Sequence, residues 1–196
     1  MSALLLAAAV FMAATDFDWG RRLPVIVAEA AGAAGAQASV VEVHAAIDGG
    51  DLRLRLTLDR PAAQALYLPD GKPVSGRLRT ALYIDADDDR RTGVDDGARD
   101  LRTGAERRLD VDVVSVGADP EEGRPGRAVV LATLRALTRE GRRRIVWRGD
   151  DTGAGGVATA GRFVEVRVPA ALVSLGPRVR VILDQGGRTW AGQVNR

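Results

Sequence analysis

Cysteine is absent and histidine occurs once, at His44. That excludes a disulfide scaffold, thiolate-held zinc, iron–sulfur clusters, a cysteine nucleophile and any multi-histidine metal centre. Lysine is as scarce: Lys72 is the single example among 28 basic residues, and all the rest are arginine. Arginine stays charged at any accessible pH, so the pI reaches about 9.6 although the formal net charge is only +2. A pI above 9 is one sign of a nucleic-acid partner, but the arginines are spread along the chain, often at alternate positions in strands, which argues against one. Aromatics make up 4% of the chain, as three Trp, two Tyr and three Phe, which leaves few rings for a stacking platform. Phosphate loops, dinucleotide fingerprints and nucleophile elbows are missing too; the glycines at 153–156 lack the lysine a P-loop needs.

One long apolar run is present, Met1 to Thr15 (MSALLLAAAVFMAAT). It is too short to cross a bilayer comfortably and matches the core of an export signal, with Ala13 and Ala14 ahead of a cleavage point. No basic residue precedes it, so a buried apolar helix is the competing reading. The expectation is a signal peptide over 1–15, a secreted or periplasmic destination, and membrane attachment only through this leader if it is uncleaved. A second small-residue tract, Ala28 to Ala38, contains Ala36-Gln37-Ala38, which also resembles a cleavage motif, but Glu29 upstream argues against it.

From residue 38 the dominant period is two. Leu52, Leu54, Leu56 and Leu58 alternate with Arg53, Arg55 and Thr57, the pattern of a half-buried strand. Asp48-Gly49-Gly50-Asp51 separates it from 39–47 with hairpin chemistry. Further strands are expected at 79–85, 106–116, 127–134, 143–148, 162–168 and 178–183. The stretch 151–161 reads as a flexible loop, and 170–175, after Pro169, as a short helical turn. Many short strands without long helical patterns predict an all-β fold, an antiparallel β-sandwich of jelly-roll type, forming one domain over 16–196. Cross-strand Arg–Asp pairs would lace the wet faces.

The segment 85–100 (DADDDRRTGVDDGARD) concentrates Asp85, Asp87, Asp88, Asp89, Asp95, Asp96 and Asp100 against Arg90, Arg91 and Arg99. Asp85, Asp87 and Asp89 alternate, which in a turning loop aims three carboxylates at one centre, and oxygen-only ligation suits a hard cation such as calcium. About twenty residues separate the flanking strands, and structureless loops beyond about 12–15 residues are uncommon; a bound ion would organise this one. If those strands pair, Asp85 and Glu106 meet at the hairpin mouth, giving Asp85, Asp87, Asp89 and Glu106 as candidate ligands of a structural calcium ion. It is no EF-hand, since arginine and aspartate stand where that loop needs glycine and glutamate. The competing reading is a solvated acidic loop neutralised by Arg90, Arg91 and Arg99.

Leu82-Tyr83-Ile84-Asp85-Ala86-Asp87, Thr92-Gly93 and Gly104-Ala105-Glu106 resemble a pattern in bacterial secreted calcium-containing β-sandwich modules similar to family 9 carbohydrate-binding modules. Asp16 to Trp19 (DFDW), the Val164-Glu165-Val166 strand with Pro169, and a final strand reaching Asp184 extend the likeness over most of 16–190. It implies a calcium-stabilised binding module without catalysis, with Asp85, Asp87 and Glu106 matching the acidic motif and Asp89 an addition. The implied partner is a glycan or another envelope component. Two arginines before Thr92, and glutamate where aspartate is usual, depart from the pattern.

The alternative is a structural or adhesive protein–protein module of the envelope without a small-molecule ligand. Trp147 shares a strand face with Ile145 and reads as core. Trp19 and Trp190 lie near opposite ends of the domain, where folding could join them as a cleft or a core plug. A carboxylate hydrolase would have to draw on Asp110/Asp112 or Asp150-Asp151, or on a Glu42–His44 pair; salt bridging explains these residues more simply.

Overall fold

The computed structural model describes residues 17–29, 38–62, 78–97, 100–116, 127–152 and 155–196. The leader at 1–15, most of the second cleavage-like tract, Tyr67, Lys72 and Arg99 lie outside them. The chain folds into two antiparallel sheets, as the period-two pattern demands. The first has the order β1 (Ile26–Val27), β2 (Val40–Asp48), β3 (Asp51–Leu58), β9 (Phe163–Val168), β8 (Val157–Ala160). The second runs β11 (Arg188–Asn195), β10 (Arg178–Gln185), β4 (Leu78–Asp85), β5 (Arg107–Val116), β6 (Arg127–Leu137), β7 (Arg143–Asp150). Among the described residues no helix is long and apolar enough to cross a membrane.

The leucines of β3 and Val164, Val166 and Val168 of β9 turn one face inward. They meet Leu82 and Ile84 of β4, Leu109, Val111 and Val113 of β5, and Val179, Val181 and Leu183 of β10. This is the expected sandwich core. Asp48 and Asp51 close the β2–β3 hairpin as register partners. The wet faces carry Arg–Asp pairs as expected, Arg53–Asp48 at 2.8 Å and Arg135–Asp110 at 2.8 Å, and also an Arg–Glu pair, Arg55–Glu165 at 3.3 Å. Partly exposed pairs of this kind each contribute little.

Three parts differ from expectation. Residues 157–160, read as flexible loop, form β8 and pair with β9. β11 escapes the pattern because RTWAGQVN interrupts its apolar positions with Ala191, Gly192 and Gln193, yet it pairs with all of β10. The helical turn shrinks to a single 3-10 turn at Ala170–Leu172.

The tryptophans plug separate places. Trp147 packs against the main core, as expected, but not on the face of Ile145: the irregularity between Leu134 and Arg135 turns Ile145 outward. Its ring lies close to Gly149 and Gly156, where any Cβ would collide with it. Trp190 also leans on that core. Trp19 instead lies on the outer face of the first sheet, against Phe17 and His44; it does not stack on Trp190. Between the sheets, Gln185 of β10 accepts a hydrogen bond from the Val40 N–H of β2 at 2.7 Å.

Candidate metal centre

The β4–β5 hairpin places the site. Ile84 and Arg107 are its last cross-strand partners, and the Glu106 N–H donates to the Ile84 carbonyl at 3.1 Å. Asp85 and Glu106 therefore stand side by side at the hairpin mouth, as the sequence predicted. The connecting loop then folds back over the outer face of the second sheet. Val94 and Ala105 bury against Ala81, Tyr83 and Ile182, with Leu101 and Leu137 at the margin. This small apolar seat fixes the flap, and the Val94 and Gly104 N–H groups close it by donating to the Ala105 and Val94 carbonyls, each at 2.9 Å.

Two glycines allow the flap to lie so close. Gly104 has φ 97°, and a Cβ there would sit 2.9 Å from both Arg90 Cα and Asp85 Oδ2. Gly93, at φ 59°, rests directly on the Gly104 and Ala105 backbone. Asp88 takes the left-handed conformation at φ 57°, which aspartate tolerates better than most residues, and turns the chain between Asp87 and Asp89.

Under the flap, Asp85, Asp87 and Glu106 form a group able to hold a metal ion, each offering an oxygen within 4.8 Å of the others. Asp85 is 0% exposed. Its Oδ2 accepts from Arg180 Nη2 at 2.6 Å, and Arg180 Nη2 also reaches the Thr103 carbonyl at 2.6 Å. Asp85 Oδ1 is buried with no hydrogen-bond partner. Glu106 Oε2 accepts from the Ala86 N–H at 2.8 Å, and Asp87 Oδ1 from the Asp89 N–H at 2.9 Å.

Thr92 sits among these oxygens. Its hydroxyl lies 3.2 Å from Asp87 Oδ1 and 2.8 Å from the Asp89 carbonyl, and it also contacts Glu106 Oε1. One hydroxyl hydrogen can serve only one of three acceptors. The site is over-supplied with oxygen lone pairs, which is the chemistry a hard cation satisfies.

The electrostatics agree. Burial pushes the Asp85 carboxyl above its ordinary range, and the hydrogen bond and charge of Arg180 offset only part of that rise. Burial likewise raises Glu106, with the Asp87 and Asp85 charges adding to it. Arg180, the guanidinium on Asp85, is shared with Asp88, whose Oδ1 lies 3.9 Å from its Nε.

Asp89 stands outside the group. Its carboxylate is clamped by Arg91, with Nη2 at 2.6 Å from Oδ2, and these hydrogen bonds hold its pKa down to about 2. The alternating spacing predicted a third converging aspartate, but Arg91, two residues on, reaches its side chain first. Part of the neutralising reading is therefore real, since Arg91 takes Asp89; Arg102, which that reading did not name, takes Asp100 at 2.5 Å. Arg180 went unrecognised in the sequence. It is the register partner of Asp85 across β10 and β4, and no local motif announces a contact between residues so far apart in the chain.

The other carboxylates are engaged elsewhere. Asp110 is held by Arg108 and Arg135, and Asp151 accepts from the Val130 N–H and the Thr159 hydroxyl. His44 Nδ1 meets the Arg22 carbonyl at 3.1 Å, and its Nε2 lies 3.6 Å from Glu42. Comparison with protein-family models, curated proteins and solved structures returned no match for this chain.

Proposed function

We propose that this protein is an exported, non-catalytic β-sandwich binding module whose hairpin flap is fastened by a structural calcium ion held by Asp85, Asp87 and Glu106. The observation that carries the reading is the buried Asp85 Oδ1, left without a partner beside two further carboxylates. A buried polar atom left unsatisfied costs about 1–3 kcal/mol, and more when it is charged. A divalent ion removes that cost and the mutual repulsion together. Calcium suits an all-oxygen donor set from flexible loop ligands better than magnesium, which demands near-ideal octahedral geometry. The Asp89 carbonyl and Thr92 hydroxyl stand ready as further oxygen donors.

The test is thermal unfolding in calcium against chelator. At a hundredfold excess over Kd the ion stabilises the fold by about 2.7 kcal/mol, a rise of about 5–10 °C in Tm for a domain of this size. Asp87→Asn removes that rise and leaves the Asp85–Arg180 pair intact. An unchanged Tm in millimolar calcium, or the same rise in the variant, rejects the ion.

The ligand class implied by the family resemblance is a glycan, tested on a glycan array. The second reading, a protein–protein module of the envelope, draws on the tryptophans: Trp19 is buried, and Trp147 and Trp190 are partly buried against the core. None offers the open ring on which a sugar stacks.

A further inference from the structure

Among the described residues, strand β7 ends the second sheet and pairs on one side only, with β6. Most arginines elsewhere on the described sheets are tied to a carboxylate, a carbonyl or a ring. Those of β7 are not: Arg143, Arg144 and Arg148 are exposed, and no hydrogen bond, ion pair or ring contact among the described residues engages their side chains. The side chain of Arg142, in the preceding turn, is equally free. Between Arg143 and Arg148 stands Ile145, 39% exposed.

Register fixes which of these share a face. Arg143, Ile145 and Arg148 pair with Leu137, Arg135 and Thr133, which alternate along the outer face of β6. The open edge thus presents basic, aliphatic and basic side chains in a row, on a strand whose second side has no backbone partner among the described residues. Charge by itself would be ordinary protection of an edge against stray pairing. An exposed isoleucine set between the two charges works against such protection, but it fits a partner strand.

We propose that the β7 edge docks an extended acidic polypeptide by strand addition. The added strand completes the sheet with main-chain hydrogen bonds and takes its specificity from alternate side chains. Cross-strand pairing asks for an acidic residue opposite Arg143, an aliphatic one opposite Ile145 and an acidic one opposite Arg148. A second copy of this chain is a poor occupant, because two β7 edges would bring arginine against arginine. The proposal stands apart from the calcium site, which lies at the β4–β5 hairpin.

A fluorescein-labelled peptide of repeating Glu-Thr-Val-Thr, titrated with the full chain in calcium buffer and read by anisotropy, tests it. The expected result is saturable binding that weakens at least tenfold in Arg143→Glu/Arg148→Glu and in Ile145→Asp. Binding also weakens at least tenfold when alternate peptide nitrogens are methylated, which removes the strand hydrogen bonds and keeps the charge. These variants sit on an exposed edge and leave the core intact, which circular dichroism checks. Equal affinity for the methylated peptide, or loss of binding only in the double charge reversal with Ile145→Asp unaffected, reduces the edge to a generic polyanion surface and overturns strand docking. No binding at millimolar peptide overturns it as well, as does a dimer in sedimentation that the charge reversal abolishes or strengthens.

Discussion

Arg180 and Asp85 face each other across β10 and β4, the arginine 8% exposed and the aspartate fully buried. Removing one member of such a pair strands the other charge, at a cost of about 3–5 kcal/mol. Arg180→Leu is therefore expected to lower stability by that order in chelator, read by urea unfolding, and by less in saturating calcium, where the proposed ion would neutralise Asp85. Asp100 obeys a separate rule. Its hydrogen bonds with Arg102 hold its carboxyl below the ordinary 3.8. A depressed folded value stabilises the fold above the unfolded pKa, and that stability is lost as pH falls through the folded one. The stability gap between the wild type and Asp100→Asn should stay constant at neutral pH and close below about pH 3.8, in a series of melts. At this scale the sequence was half legible. Asp85, Asp87 and Glu106 showed through their spacing and the hairpin they imply. Asp89 misled because proximity to Arg91 outweighs alternation, and Arg180 stayed hidden because its partner is set by sheet order.

The flap is the element that most depends on the site. It crosses the outer sheet face on a seat of Val94, Ala105, Tyr83, Ala81 and Ile182, much smaller than the main core. Segments with few buried apolar contacts open at lower free energy than the strands beneath them. If the proposed calcium fastens the flap, its removal should accelerate amide exchange at Val94, Gly104 and Ala105 well before exchange in β4, β5 or β10, in a hydrogen-exchange time course. Uniform change across the sheet would tie the ion to global unfolding instead. Strands were legible where leucine and valine alternate with charge, as in β3, β5 and β9. β11 was not, because its partner supplies the apolar contacts that its own glycine and glutamine lack. β8 was not, because four residues are too few to show a period.

At the scale of the whole molecule, the sandwich is closed by contacts between its early and late segments. Gln185 grips the Val40 N–H across 145 residues of sequence. Val25 lies so close to Gly192 that any side chain there would strike its carbonyl. Gln185→Leu leaves the buried Val40 N–H without its acceptor and should cost about 1–3 kcal/mol, measured by denaturant titration.

The strand order carries a kinetic consequence. β3 finds one of its two neighbours only in β9, and β4 must wait for β10, although each hairpin beside them can form from local sequence. Neither half of the polypeptide can cover its oily face by itself, so assembly is held back until the last hairpin emerges. Such chains fold in milliseconds to seconds rather than microseconds, and over that interval the half-made sheets are at their most exposed to aggregation.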